Sequence, residues 1–372
     1  VEYEPLPVIA RTATAANGES GTLWADCPEN EAFLFQAGDA AAVDAAFARA
    51  DHVVKQHIVI NRVATVSMEP RGCNASYDPL ADTYTVYAGV QRTHGLRKDL
   101  AENFFRQPEH KFRVHSNDVG GSFGMKGGTY VEYPLALWAS TKLGRPVKWA
   151  SDRSESFASD EHARDNITDA ELALTKDGDF LALRVKTTVN VGAYLATMGP
   201  QPAIGNVGTL AGVYTTPAIH VAVTGAFSNM NPTSPYRGAG RPEAAYVIER
   251  LIDTAARELN IDRVDIRRRN MIPADAMPYQ TGLTFKYDSG DFETIMDRAL
   301  GMADYAGFEA RRAEAAARGR LRGIGFSCTI EQAGGRSMQE VAELRFEASG
   351  TATLYIGTVS HGQGHDTIYK QI

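Results

Sequence analysis

The 372-residue sequence predicts an α+β fold, mixed sheets with flanking helices, and three observations carry that prediction. Apolar and polar residues alternate through residues 52–90 and again through 167–194, which is the pattern of half-buried strands. The turn Lys176-Asp177-Gly178-Asp179 sits between two alternating runs and marks a β-hairpin. Helical apolar stripes follow two glycine-rich loops, in 129–144 and 241–260.

In chain order, residues 1–40 are rich in Pro, Ala, Gly and Asp with weak periodicity, so they read as a lead-in segment. A short helix follows at 39–50, capped by Asp39. "HVVKQHIVINRV" and "TYTVYAGV" read as strands, and "KFRVHSND" is a third that runs straight into "NDVGGSFGMKGG". The next long helix starts at "RPEAAYVIERLIDTAARELN", where Pro242 suits the first turn and Ile248, Leu251, Ile252, Ala255 and Leu259 form one stripe. Helical composition resumes at 291–319, a strand is expected in "LRGIGFSCTI", and another in "TATLYIG". The division expected is a lead-in at 1–40, a first domain at 41–287 and the start of a second at 288–372.

Composition excludes several classes of function. The chain is 44% apolar and 22% charged, ordinary for a folded globular protein of this length. Its net charge of −7 comes from interspersed signs, and apolar residues break the one dense basic run, "RVDIRRRN", so no nucleic acid is expected as ligand. No membrane span is expected either, because no stretch approaches the roughly 18 apolar residues a spanning helix needs; the expected location is the cytoplasm. Cys27, Cys73 and Cys328 are too widely spaced for a zinc or iron–sulfur site. His361 and His365 have zinc-helix spacing, but "HGQGH" puts glycines between them and lacks the glutamate of a His-Glu-x-x-His helix.

Three times the chain runs strand, glycine-rich polar loop, helix: at 118–128, 234–242 and 360–367. Neither a Walker loop nor a dinucleotide-binding fingerprint can be written through Gly120, Gly121, Gly124, Gly127 and Gly128. Glycines at such junctions let the backbone approach a ligand closely, and helix-start amides favour anionic groups. One loop alone reads equally well as a tight turn. Three together point to a large polyanionic ligand gripped by main-chain amides.

"VGGSFGMK", "YRGAGRPEAAYVIERL" and "GQGHDT", in this order, resemble the molybdenum-binding large subunit of the xanthine oxidase family, the molybdenum hydroxylases. "SMEPRGC", "GVQRTHGLRKDLA" and "WASDRSESF" are further landmarks, and the likeness is greatest to the bacterial aldehyde- or CO-dehydrogenase-like branch. The resemblance implies the molybdopterin-binding fold of that family and a molybdenum–molybdopterin cofactor in its cytosine dinucleotide form, with the metal held through the pterin rather than by side chains. Gly121, Phe123 and Gly124 would place amides against the metal's oxo and dithiolene face, and Gln91 would hydrogen-bond the apical oxo ligand. Arg237 would be the loop cation near the metal, with Tyr236 beside it, and Gln363 and Gly364 would bind the pterin and its phosphate.

The chemistry implied is oxidation of a small molecule, an aldehyde or N-heteroaromatic, with water as the source of the inserted oxygen and a glutamate as base. Electrons would leave through [2Fe-2S] clusters on a small subunit to FAD on a medium subunit, within a dimer of heterotrimers. In the family the base lies near the end of a subunit about twice this length, so no residue here takes that role and this segment alone is expected to be inactive. Glu69, Glu132 and Glu243 read as structural acids or cap partners. Gly238 stands where CO-oxidising members carry cysteine, and Ala239 where purine-oxidising members carry phenylalanine, which argues against both substrates. The competing reading is a cofactor-binding or carrier homologue without turnover.

Overall fold

The computed structural model describes residues 2–16, 18, 21–331 and 340–372. Its elements in chain order begin with α1 (Thr12–Ala15), β1 (Glu31–Gly38), α2 (Ala40–Phe47), β2 (His52–Ala64), β3 (Gly72–Asp78), β4 (Thr83–Ala88), α3 (Thr93–Asp99) and β5 (Phe112–His115). There follow α4 (Glu132–Leu143), β6 (Val147–Ala150), α5 (Arg153–Ser159), β7 (His162–Leu174), β8 (Phe180–Gly192), β9 (Ala218–Phe227), α6 (Arg241–Glu258) and α7 (Arg263–Asn270). The remainder comprises β10 (Tyr279–Gln280), β11 (Lys286–Tyr287), α8 (Phe292–Met302), α9 (Phe308–Ala317), β12 (Ala342–Phe346), β13 (Ala352–Ile356) and α10 (His365–Gln371).

A five-stranded mixed sheet, order β1-β9-β8-β7-β2, forms the larger body, and its one parallel pair is β8 with β9. The β7–β8 hairpin closes at the Asp-Gly turn, with Gly178 at φ +88, where glycine pays no Cβ penalty. Helix α6 packs on this sheet because Val247, Ile248, Leu251, Ile252 and Ala255 are all buried on one stripe. Burying those five side chains contributes on the order of 1.5–3 kcal/mol for each of the larger ones. Asp39 caps α2 by accepting the Ala42 amide, as its position ahead of the apolar run implies.

A second sheet, order β5-β4-β3-β6, carries α4 on one face, with Tyr133 and Leu137 fully buried against it. The two sheets meet through Arg71, whose side chain is wholly buried. Its Nε donates to Asp160 Oδ1 at 2.6 Å and its Nη1 to Glu132 Oε2 at 2.8 Å, and its guanidinium lies 3.7 Å from the Tyr130 ring centroid. Burial opposes this charge, but the hydrogen bonds it donates to both carboxylates outweigh that and hold the arginine's pKa above its ordinary value.

Three details go beyond or against the sequence. Residues 31–38, within the stretch expected as lead-in, form the edge strand β1, in register with β9 from Glu31↔Ala226 to Gly38↔His220. Residues 321–330, expected to be a strand, carry no ladder among the described residues. Their alternation is nevertheless real, since Phe326, Cys328 and Ile330 pack on the main core; a buried face without a neighbouring edge is not a strand. The arginines of "RVDIRRRN" are consumed internally: Arg267 pairs with Glu249 and Asp253, Arg268 with Glu293 and Asp297, and Arg269 with Asp179. No helix among the described residues is long and apolar enough to cross a membrane.

Candidate cofactor site

The loop after β5 and the loop before α6 interlock through main-chain contacts. The Arg237 amide donates to the Phe123 carbonyl at 2.8 Å, and a Cβ on Gly124 would lie 2.2 Å from the Pro235 carbonyl oxygen. Gly124 also stands at φ +107, so glycine is required there twice over. Gly240, at φ +98, is equally constrained, because a Cβ would meet the Pro202 carbonyl oxygen at 2.1 Å. Phe123 adopts φ +55 and covers Gly121, whose own φ is +97. Two positive-φ glycines with a left-handed Phe123 between them turn this stretch of backbone sharply and bring it against the second loop.

The first loop is anchored from below by charge. Lys126 is buried within it and donates to Glu69 Oε2 at 2.8 Å, and the same oxygen accepts the Gly120 amide at 2.9 Å. Gln91 borders the other side: its amide donates to the Lys126 carbonyl at 3.0 Å, and its Oε1 accepts the Ser122 hydroxyl at 2.7 Å. That bond leaves Gln91 Nε2 without a partner among the described residues. Arg237 is exposed, and its guanidinium likewise has neither an ion pair nor a hydrogen bond among the described residues. Tyr236 stacks near the Arg164 guanidinium, 5.2 Å from ring centroid to Cζ.

The third loop differs. Gly364, at φ +76, caps α10, but Gln363 is turned onto its own loop, accepting the His361 amide at 2.7 Å and reaching His361 Nε2 at 2.9 Å. Burial, His365 and then Lys126 push the His361 pKa down, which places this loop within electrostatic reach of the first. Of the residues picked out by sequence, then, Gln91, Gly121, Phe123, Gly124, Tyr236 and Arg237 form one continuous neighbourhood, while Gln363 and Gly364 make no hydrogen bond or ion pair to it among the described residues.

The three acids near the loops are all engaged structurally: Glu69 with Lys126, Glu132 with Arg71, and Glu243 with Arg164 and the Gly240 amide. Sequence reasoning missed Lys126, Ser122 and Glu161. The first two sat in plain view inside the glycine loop, but their partners lie 57 and 31 residues away. Glu161 is 9% exposed and lies between the two loops, its Oε1 2.8 Å from where a Gly128 Cβ would be, with Ser234 alongside. Neither Glu161 Oε2 nor Ser234 Oγ has a well-formed hydrogen bond, and burial pushes the carboxyl up to about 7.

Main-chain amides turned by glycine, a free amide donor and an unpaired cation together fit a large anionic cofactor, and glycines at which a Cβ would clash with the facing backbone let the loops approach closely. The comparisons with known proteins agree. The sequence matches the molybdopterin cofactor-binding domain family over residues 23–271 and again over 298–372. The chain belongs to this molybdopterin cofactor-binding family.

It is 38% identical to the carbon monoxide dehydrogenase large chain of Hydrogenophaga pseudoflava, across 100% of this chain and 50% of that protein. It is 33% identical to the 6-hydroxypseudooxynicotine dehydrogenase complex subunit gamma of Paenarthrobacter nicotinovorans, across 100% and 47% respectively. Among solved structures, quinoline 2-oxidoreductase from Pseudomonas putida superposes with a TM-score of 0.92 at 31% identity, covering 100% of this chain and 48% of that one. The chain therefore spans about half the length of the relatives it matches.

Proposed function

We propose that this chain is the cofactor-holding part of a molybdenum-dependent dehydrogenase that oxidises an aldehyde or an N-heteroaromatic compound, with water supplying the inserted oxygen. The carrying observation is the joint between the two loops, which presents the amides around Gly121–Gly124, the Gln91 Nε2 donor and the Arg237 guanidinium together. When bound, molybdopterin supplies a metal centre capable of two-electron oxidation. The chain's own residues would hold it: amides of the first loop against its anionic ligands, Gln91 donating to an oxygen ligand, and Arg237, beside Tyr236, stabilising negative charge that builds on the reacting substrate. Gln363 and Gly364 would take the pterin and its phosphate, with Gln363 exchanging its His361 contacts for the ligand.

The same reading assigns the cytosine dinucleotide form of the cofactor, a [2Fe-2S] small subunit, an FAD-binding medium subunit, assembly as a dimer of heterotrimers, a cytoplasmic location, and a glutamate base outside this segment. Carbon monoxide is the second substrate to weigh, because the relatives include CO dehydrogenases. Gly238 speaks against it. It stands at φ +90, and a Cβ would meet Pro242 Cδ and Cγ at 2.5 Å, so a cysteine cannot be accommodated without moving the turn.

The test is the full subunit coexpressed with its partners in a host that makes the cofactor. Stoichiometric molybdenum and pterin nucleotide, dye-linked oxidation of aldehydes or quinolines, and loss of turnover in Arg237→Ala and Gln91→Ala are the results expected. Metal-free protein from such a host, or CO oxidation in preference to both substrate classes, would sink the proposal.

A further inference from the structure

The start of β7 carries a conformation that its sequence does not advertise. Arg164 and Asp165 adopt φ +65 and +68, the one consecutive pair of non-glycine residues in the left-handed region among the described residues. Such backbone is sparsely populated and persists only where surrounding contacts over-determine it. Here they do. The ladder from β7 to β8 begins only at Asn166↔Val189, and Asp165, freed from it, accepts Arg62 Nε at 2.7 Å and the Thr12 hydroxyl at 2.5 Å.

The consequence of the kink is where Arg164 goes. Its side chain, 11% exposed, runs under the second glycine loop. Nη1 donates to the Tyr236 carbonyl at 3.1 Å and to Glu243 Oε1 at 2.9 Å, while Nη2 donates to the Arg237 carbonyl at 2.9 Å. Glu243 Oε2 in turn accepts the Gly240 amide at 3.1 Å. One guanidinium thus grips two consecutive carbonyls at the front of the turn and, through Glu243, the amide at its back. A lysine ammonium could hold the charge but not this fork, which needs donors fixed in a plane.

We propose that Arg164 is a positioning residue: it sets the peptide plane between Arg237 and its neighbours, so that the Arg237 amide meets Phe123 and the Arg237 side chain is left free toward the cofactor side. This deepens the proposed function and rests on it for its catalytic consequence, but the geometry of the turn stands independently.

The experiment compares wild type, Arg164→Lys and Arg164→Gln in the full subunit with its partners. Hydrogen exchange is followed in peptides covering 234–241 and 180–192, alongside bound molybdenum and steady-state oxidation of an aldehyde. Both variants should speed exchange in 234–241 by about tenfold or more while leaving the β8 peptide as in wild type. Both should also lower kcat more than they raise KM, because they misplace a charge-stabilising group rather than the binding surface. Wild-type exchange in Arg164→Lys would overturn the proposal, since charge alone would then suffice. So would faster exchange spread equally over both peptides, which marks a role in the fold at large. If wild type itself held no molybdenum and turned nothing over, the functional reading would fall, while the exchange comparison would still decide the role of Arg164.

Discussion

Replacing Glu161 by glutamine removes a carboxyl whose neutral form the fold favours. In water a glutamic acid titrates near 4.5; here it is raised to about 7, chiefly by burial, with Ser234 and Arg71 pulling the other way and Asp160 adding to the rise. The sign follows from proton counting. Between those two values the folded state binds more proton than the unfolded state, so stability falls as pH rises through the interval. The contribution is fully present below 4.5 and lost above 7. At about 1.4 kcal/mol per pH unit, the span corresponds to roughly 3 kcal/mol.

Glu161→Gln cannot titrate and keeps the shape, and its amide can donate to the unsatisfied Ser234 hydroxyl. The variant should therefore gain on wild type by on the order of 2–3 kcal/mol between pH 5 and pH 8. Hydrogen exchange of a peptide covering 153–174 in the full subunit, corrected for intrinsic pH dependence, reads the opening free energy at each pH. Parallel curves for the two proteins would refute the reasoning, because they would mean that the carboxyl titrates alike in the folded and open states.

Further outcomes follow from the same geometry. Gly124→Ala, which must relieve both a 2.2 Å approach to the Pro235 carbonyl and a φ of +107, should separate the two loops and abolish pterin binding, read as cofactor content after gel filtration. Arg71→Met strands Asp160 and Glu132 at the junction of the two sheets; removing one partner of a buried ion network costs about 3–5 kcal/mol, visible as a lowered unfolding midpoint with m unchanged. Glu69→Gln leaves Lys126 with a neutral partner and should lower cofactor retention more at low than at high ionic strength, because salt already screens the half-exposed pair that the variant loses.

Much of the fold could be read from local chemistry. The Asp-Gly turn sets the β7–β8 hairpin, Asp39 caps α2, and Pro242 with its apolar stripe sets α6, since each is a property of neighbouring residues. The candidate site was legible as three separate loops, and the resemblance named Gln91, Gly121, Phe123, Gly124, Tyr236 and Arg237, which the structure gathers together. What no local pattern carries is the joint itself. Phe123 and Arg237 lie far apart in the chain and meet through backbone atoms, which every residue has. Lys126 and Glu69, or Arg164 and Glu243, look like unremarkable surface charges until the fold pairs them with each other. The strand expected at 321–330 failed for the complementary reason: alternation records which side of a segment is buried and says nothing about whether a neighbouring edge is there to pair with it.

The latch between the loops joins an amide to a carbonyl, so neither the phenyl ring of Phe123 nor the guanidinium of Arg237 takes part in closing it. Division of labour at this point gives evolution, and the protein engineer, a scaffold whose geometry survives changes of chemistry. Residues at 123 and 239 can be exchanged to suit a new substrate so long as the neighbouring glycines and Arg237 stay, and a library confined to those two positions would sample selectivity without repeatedly dismantling the cradle.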